Sequence, residues 1–227
     1  MLDMTPNIKS LGESAVVVEF GNEILEALND AAISLSNELN SRPFSGMVEA
    51  FPSYSSTTVF YDAIEVRRRF TDFDNAFSAV SFILDQRLSS LAVCSSISAS
   101  TIEVPVDFSA KCGLDLENVA VGCGLTVEEV IELFTARIYR VYMIGFLPGF
   151  AYMGEVDERI WQPRKHQPRL KVPKGSVGIA GAQAGVYPLD TPGGWQIIGR
   201  TEIEFFQPFA KEPSLLKPGE LVKFVAV

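Results

Sequence analysis

Ile138-Tyr139-Arg140-Val141-Tyr142-Met143-Ile144-Gly145-Phe146-Leu147-Pro148-Gly149-Phe150-Ala151-Tyr152 divides the chain into two chemistries. Its first part, Ile138–Phe146, is a largely apolar run of strand length. Its second part is rigid, aromatic and turn-rich, because proline fixes φ and glycine frees it. From Gly145 to the end lie 9 of the 13 prolines and 11 of the 17 glycines, which excludes long helices there. Short strands punctuated by turns remain: Val177–Ala180, Gln196–Ile203 and Leu221–Val227. That pattern predicts a barrel or sandwich.

Upstream of the divide the periodicity changes. Ile24, Leu28, Ala32, Leu35 and Leu39 recur at helical spacing until Asn40–Pro43 stops them. Phe73, Phe77, Val80, Leu84 and Leu88 do the same, with Thr71 and Asp74 read as a capping box. Between them lie strand-like runs at Ile8–Leu11, Ala15–Phe20, Met47–Phe51 and Thr57–Tyr61. The order predicts an α+β layer of one sheet with two helices on one face. Residues 89–100 hold six serines in twelve positions and read as a linker, which sets domains at 1–98 and 99–227. Beyond it come a strand, Thr101–Val106, a helix Leu116–Cys123 capped by Asp115, and a second helix opened by the Thr126/Glu129 capping box.

The charge balance narrows the function. With 19 basic and 28 acidic residues the net charge is −9, unfavourable for general binding to nucleic acid or anionic membrane. Cys94, Cys112 and Cys123 form no Cys-x-x-Cys pair, and His166 is the one histidine, so no zinc site is expected. The opening Met1–Pro6 lacks a signal-peptide pattern, and the apolar stretch 141–154 is too short to span a bilayer. A cytoplasmic location is the expectation. No phosphate-binding loop, dinucleotide fingerprint or nucleophile elbow appears.

Against this acidic background, residues 159–174 hold six Lys or Arg and no acid, leaving net −15 elsewhere. Such an island suggests an anion or carboxylate site, with the intervening prolines keeping it extended. A solvated basic loop paired with surface carboxylates explains it equally well. A second cluster, Thr191–Thr201, contains Gly193-Gly194-Trp195 and Arg200. The glycines permit a tight turn, Trp195 suits a pocket floor, and Arg200 suits a bidentate fork; a plain β-turn with a core tryptophan is the alternative. Glu155, Asp157, Glu158 and Asp190 lie near these loops.

Gly145–Tyr152, Pro163-Arg164, Pro168-Arg169, Val172–Gln183, Gly185–Pro188 and Thr191–Thr201 together resemble the 5-oxoprolinase B-subunit family. That family is also described as allophanate hydrolase subunit 1 or KipI-like. Tyr139–Phe150 is the most specific stretch, and Glu19–Gly21 with Phe51–Tyr54 extends the resemblance into the N-terminal half. The resemblance implies a small α+β N-terminal domain followed by a cyclophilin-like β-barrel. It implies one member of a heteromeric ATP-dependent 5-oxoprolinase, inactive alone, converting 5-oxoproline to glutamate. Its partners would be a sister protein like the 5-oxoprolinase C subunit and a third protein like the A subunit. ATP would be used by the assembled complex, and this chain alone would bind no cofactor and no metal. The alternatives are an inhibitor of a sporulation-type histidine kinase, or a carboxyltransferase or allophanate hydrolase-type subunit.

The implied substrate, a small carboxylate, would contact Phe146, Tyr152, Arg164, Arg169, Gln183, Trp195 and Arg200. Pro148, Gly149, Gly193 and Gly194 would shape the loops, and no catalytic residue is assigned. The chain departs from the common family pattern at Val121-Gly122 and Phe134, where many relatives carry histidine, and at Gly154-Glu155, where many read Gly-Gly.

Overall fold

In this computed structural model, which describes residues 6–91 and 101–227, the helical ladder of the N-terminal half builds α1, Glu26–Ser41. Most of the serine-rich run, with Cys94, and residues 1–5 lie outside the described residues. The chain divides into two compact units, Met1–Ile97 and Ser98–Val227.

In the first unit α1 lays Leu28, Ala32, Leu35 and Leu39 on an antiparallel sheet of order β1-β2-β4-β3. The strands are β1 Asn7–Ser10, β2 Ala15–Glu19, β3 Met47–Ser53 and β4 Ser56–Tyr61. Val16, Val18, Ala50 and Val59 meet the helix. Thr57, fully buried among them, donates its hydroxyl to Ala32 O at 2.8 Å, so the polar group does not remain unpaired in the core. Two local readings need correction. A short helix, α2 at Ala63–Arg69, was not foreseen; Asp62 caps it by accepting from Ile64 N and Glu65 N, and Arg67–Arg69 suit its C-terminal dipole. The next helix, α3 at Ala76–Ser89, is capped by Asn75, which accepts from Ser78 N at 2.8 Å, and not by Thr71 with Asp74.

The second unit is a seven-stranded sheet of order β12-β9-β10-β7-β6-β13-β5. Its strands are β5 Thr101–Val106, β6 Ile138–Ile144, β7 Ala151–Gly154, β9 Ser176–Ala180, β10 Gln183–Val186, β12 Gln196–Arg200 and β13 Leu221–Ala226. The remaining strands, β8 Arg169–Val172 and β11 Thr191–Gly193, pair separately. The two edges of the large sheet meet where Asp107 N donates to Arg200 O at 2.8 Å and Arg200 N returns to Asp107 O at 3.0 Å. The result is a nearly closed barrel, the architecture the resemblance implied. β6 stops at Ile144 rather than Phe146 because Phe146 takes a φ of 67°. β12 stops at Arg200, where its backbone is taken up by the closing bridge.

Alternation sorts each strand between two faces. Val104, Val141, Met153, Val177, Ala184 and Phe224 point into one core, which also receives Val119 of α4, Leu116–Cys123, and Phe134 of α5, Val127–Ala136. The foreseen capping box opens α5: Glu129 N donates to Thr126 Oγ1 at 3.2 Å and Thr126 N to Glu129 Oε2 at 2.8 Å. The opposite face of β7, β10, β9 and β12 carries a separate aromatic cluster. No helix among the described residues is long and apolar enough to cross a membrane.

Candidate functional site

On that opposite face Gly185 and Gly178 stand directly across from each other, with Ile197 in register beyond Gly178. Two adjacent positions without side chains leave a shallow floor, and aromatic rings lie in it. A Cβ on Gly185 would come within 2.8 Å of Phe150 Cζ and 3.1 Å of Trp195 Cζ3. Phe150 is the hub. It stands edge-to-face with Phe146, Tyr152, Tyr187 and Trp195 at centroid distances of 5.5, 4.9, 5.3 and 5.4 Å. That arrangement satisfies the ring quadrupoles. Burial raises the Tyr152 and Tyr187 pKa values, so both phenols stay protonated near neutrality.

The loop before Phe150 is shaped by two left-handed residues. Gly149 has φ 79°, and a Cβ there would meet Phe205 O at 2.8 Å, so glycine is required twice over. Phe146 adopts φ 67° although it has a bulky side chain, and the residue is 61% exposed. Strain of this kind costs about 1–3 kcal/mol and concentrates at ligand-contacting positions.

The basic island next to this cluster is almost wholly neutralised. Arg159 forks onto Asp157 at 2.8 and 2.9 Å, Lys171 pairs with Asp190 at 2.7 Å, and Lys174 pairs with Glu204 at 2.6 Å. Lys165 and Arg169 converge on Asp115, whose side chain is 1% exposed. Lys165 Nζ lies 2.6 Å from Oδ1, Arg169 donates through both terminal nitrogens at 2.7 Å, and Ile197 N adds a fourth bond at 2.7 Å. Burial pushes the Asp115 pKa up, but the hydrogen bonds from Arg169, Lys165 and Ile197 outweigh it and the net direction is down. Asp115 does stand at the start of α4, yet its side chain makes no capping bond there.

Among the described residues, Arg164 alone of the six island cations has no acidic partner. Its guanidinium carbon lies 5.9 Å from the Trp195 ring centroid, in cation–π range. Arg164 also lines an open groove of about 540 Å³ together with His166, Gln167, Asn118, Gln162 and Gln196. Among the described residues no acidic side chain lines that groove.

Comparison with known proteins places these features. The chain is 42% identical to the B subunit of 5-oxoprolinase from Bacillus subtilis over 97% of its own length and 92% of that protein. The chain belongs to the 5-oxoprolinase B-subunit family. It is also 39% identical to the B subunit of the Escherichia coli O157:H7 5-oxoprolinase, over 95% of this chain and 93% of the other. The carboxyltransferase domain family, subdomain C and D, matches residues 6–216. The crystal structure of TTHA0988 superposes with a TM-score of 0.81 at 33% identity, covering 94% of this chain; the chain spans 40% of the length of TTHA0988.

Of the residues singled out from the 5-oxoprolinase resemblance, Phe146, Tyr152, Trp195 and Arg164 come together in and around the aromatic cluster. Arg169 is committed to Asp115, with both terminal nitrogens in use. Gln183 stands in register with Gly154 and Ala180. Arg200 sits at the barrel closure; its Nε is buried without a hydrogen bond, and Glu202 Oε1 is 4.0 Å away. Gly193 passes so close to Tyr187 that a Cβ would fall 2.5 Å from the phenol oxygen; Gly194 faces Pro168, and Pro148 is in the exposed turn. Asp115, Tyr187, Gly178 and Gly185 were not singled out as site residues. A glycine inside each of two short strands, Gly178 and Gly185, could have signalled a bare face, but nothing local to Asp115 points to partners 50 and 54 residues away. Phe134, where many relatives carry histidine, is fully buried between Phe108, Tyr139 and Phe224. Among the described residues no three His, Cys, Asp or Glu side chains gather as a metal site.

Proposed function

We propose that the protein is one subunit of an ATP-dependent 5-oxoprolinase, a hydrolase that opens the lactam of 5-oxoproline to glutamate. It works in the cytoplasm with two partners, one like the 5-oxoprolinase C subunit and one like the A subunit. Alone it neither turns over substrate nor binds ATP. The carrying observation is Arg164: a cation held against an indole, in an island whose other cations are spent on carboxylates. A guanidinium in that position offers its planar fork to the carboxylate of 5-oxoproline. Phe146, Tyr152 and Trp195 supply the apolar wall beside it.

Co-expression with the two candidate partners tests the reading. Glutamate release from 5-oxoproline should require all three proteins and ATP. Arg164→Lys keeps the charge but loses the fork, so KM for 5-oxoproline should rise about tenfold, the loss of about 1.4 kcal/mol of carboxylate binding. An assembled complex that releases no glutamate, or saturable ATP binding by this chain alone in calorimetry, overturns the proposal.

A further inference from the structure

Arg164 is exposed and sits on an irregular segment, residues 161–168, that leads into β8. An exposed arginine has many rotamers open to it, yet this guanidinium rests on the Trp195 ring. Its direction is set by how the backbone on either side is held. Gln196 Nε2 donates to Pro163 O at 2.9 Å, and Lys165 N donates to Gly194 O at 2.7 Å. The side chains of Lys165 and Arg169 then carry the segment to Asp115.

Asp115 is itself locked to β12. Its N–H donates to Ile197 O, and Ile197 N donates to its Oδ2, both at 2.7 Å. Gly113 permits that approach, since a Cβ there would fall 2.6 Å from Ile198 O. One carboxylate thus references both halves of the cation–π pair: Ile197 lies two residues after Trp195, and Lys165 directly follows Arg164.

A carboxylate has about four acceptor sites, two on each oxygen. Here Oδ1 takes Lys165 and Arg169, and Oδ2 takes Arg169 and Ile197 N. None is left for a ligand, so Asp115 acts on the site only through its partners. Stability alone does not account for a charge in this place, because well-packed apolar groups often replace a buried ion pair without loss. What the ion pair adds is direction, since charge-assisted bonds to a fixed carboxylate are short and oriented.

Resting on the functional reading above, we infer that Asp115 is a positioning residue: through Lys165 and Arg169 it holds Arg164 on Trp195, where the guanidinium meets the substrate carboxylate.

The test is a double-mutant cycle on the full-length chain. In a Trp161→Phe background Trp195 is the one tryptophan, and its emission reports the cation above it. Arg164→Met gives the emission of the indole without that cation. Asp115→Asn should move the emission at least halfway to this reference. Added to Arg164→Met, it should move the emission no further, whereas loosened packing would shift Trp195 in both backgrounds. Lys165→Met leaves Asp115 its bonds to Arg169 and Ile197, and should give the same pattern with less cost to folding. Emission unchanged in both variants, or shifts of equal size with and without Arg164, overturn the inference.

The assembled complex gives the functional counterpart. Asp115→Asn should raise KM for 5-oxoproline about tenfold with kcat nearly unchanged, and should add less than about twofold to Arg164→Met. The two readings fail separately. If glutamate is released and the two KM effects multiply, Asp115 is not a positioning residue and the oxoprolinase reading stands. If the wild-type complex releases none, the oxoprolinase reading is wrong, and the emission cycle on the chain alone still decides whether Asp115 holds Arg164.

Discussion

Asp115→Asn changes one atom type at the point where three distant segments meet. The wild-type carboxylate is 1% exposed and takes four hydrogen bonds, three of them from cations. Removing the charge strands Arg169 and Lys165, and breaking a buried pair in this way costs about 3–5 kcal/mol. The two cations are 24% and 28% exposed, so water recovers part of the loss, and about 2–4 kcal/mol remains. For a unit of this size that lowers Tm by roughly 10 °C. Both tryptophans, Trp161 and Trp195, belong to the Ser98–Val227 unit, so intrinsic tryptophan fluorescence reports its unfolding separately from the first unit. The acid side gives a second readout. The folded pKa of Asp115 lies below its unfolded value, so its contribution is complete above about pH 4 and fades as pH falls through the folded value. The gap between wild type and Asp115→Asn should therefore narrow below pH 4. A variant within about 0.5 kcal/mol of wild type at pH 7, or a gap constant from pH 7 to pH 3, would refute the clamp.

Three further substitutions probe the surrounding packing. Gly185→Ala places a methyl group 2.8 Å from Phe150 Cζ, so the rings must part; a loss of about 1–3 kcal/mol with a changed near-UV circular dichroism spectrum is expected, and an unchanged spectrum would contradict the packing. Phe134→Ala empties the centre of the Phe108, Tyr139 and Phe224 cluster and should cost about 3–5 kcal/mol in urea titration; a cost under about 1 kcal/mol would mean the ring is not where the core needs it. Arg200→Met removes a guanidinium whose Nε is buried without an acceptor, so stability should stay within about 0.5 kcal/mol or rise; a loss above about 2 kcal/mol would reveal a partner essential to the fold.

Local chemistry carried the outline of this protein. The Thr126/Glu129 box starts α5 because its two bonds close within one turn, and the apolar ladder of α1 needs only its own spacing to choose a face. Proline and glycine after residue 145 forbid long helices whatever surrounds them, so the shift to short strands is written into composition. The stretch around Phe150 reads as rigid and aromatic from its own residues, but its gathering with Tyr187 and Trp195 depends on strands distant in sequence. The assignment of charges did not follow. Six cations in sixteen residues look equivalent in sequence, and whether each meets a carboxylate depends on chain segments far from it. Asp115 reads as a helix cap because its sequence neighbours allow nothing else; barrel closure brings Lys165 and Arg169 to it across 50 and 54 residues, and electrostatics in a buried site then overrides the local bond. The adjacent strands β9 and β10 set Gly178 opposite Gly185, and the fold around them leaves Arg164 on the Trp195 ring with no acid among the described residues. Caps and periodicity act within about one helical turn and are legible along the chain, whereas ion pairing and ring packing are decided by which strands the barrel makes neighbours.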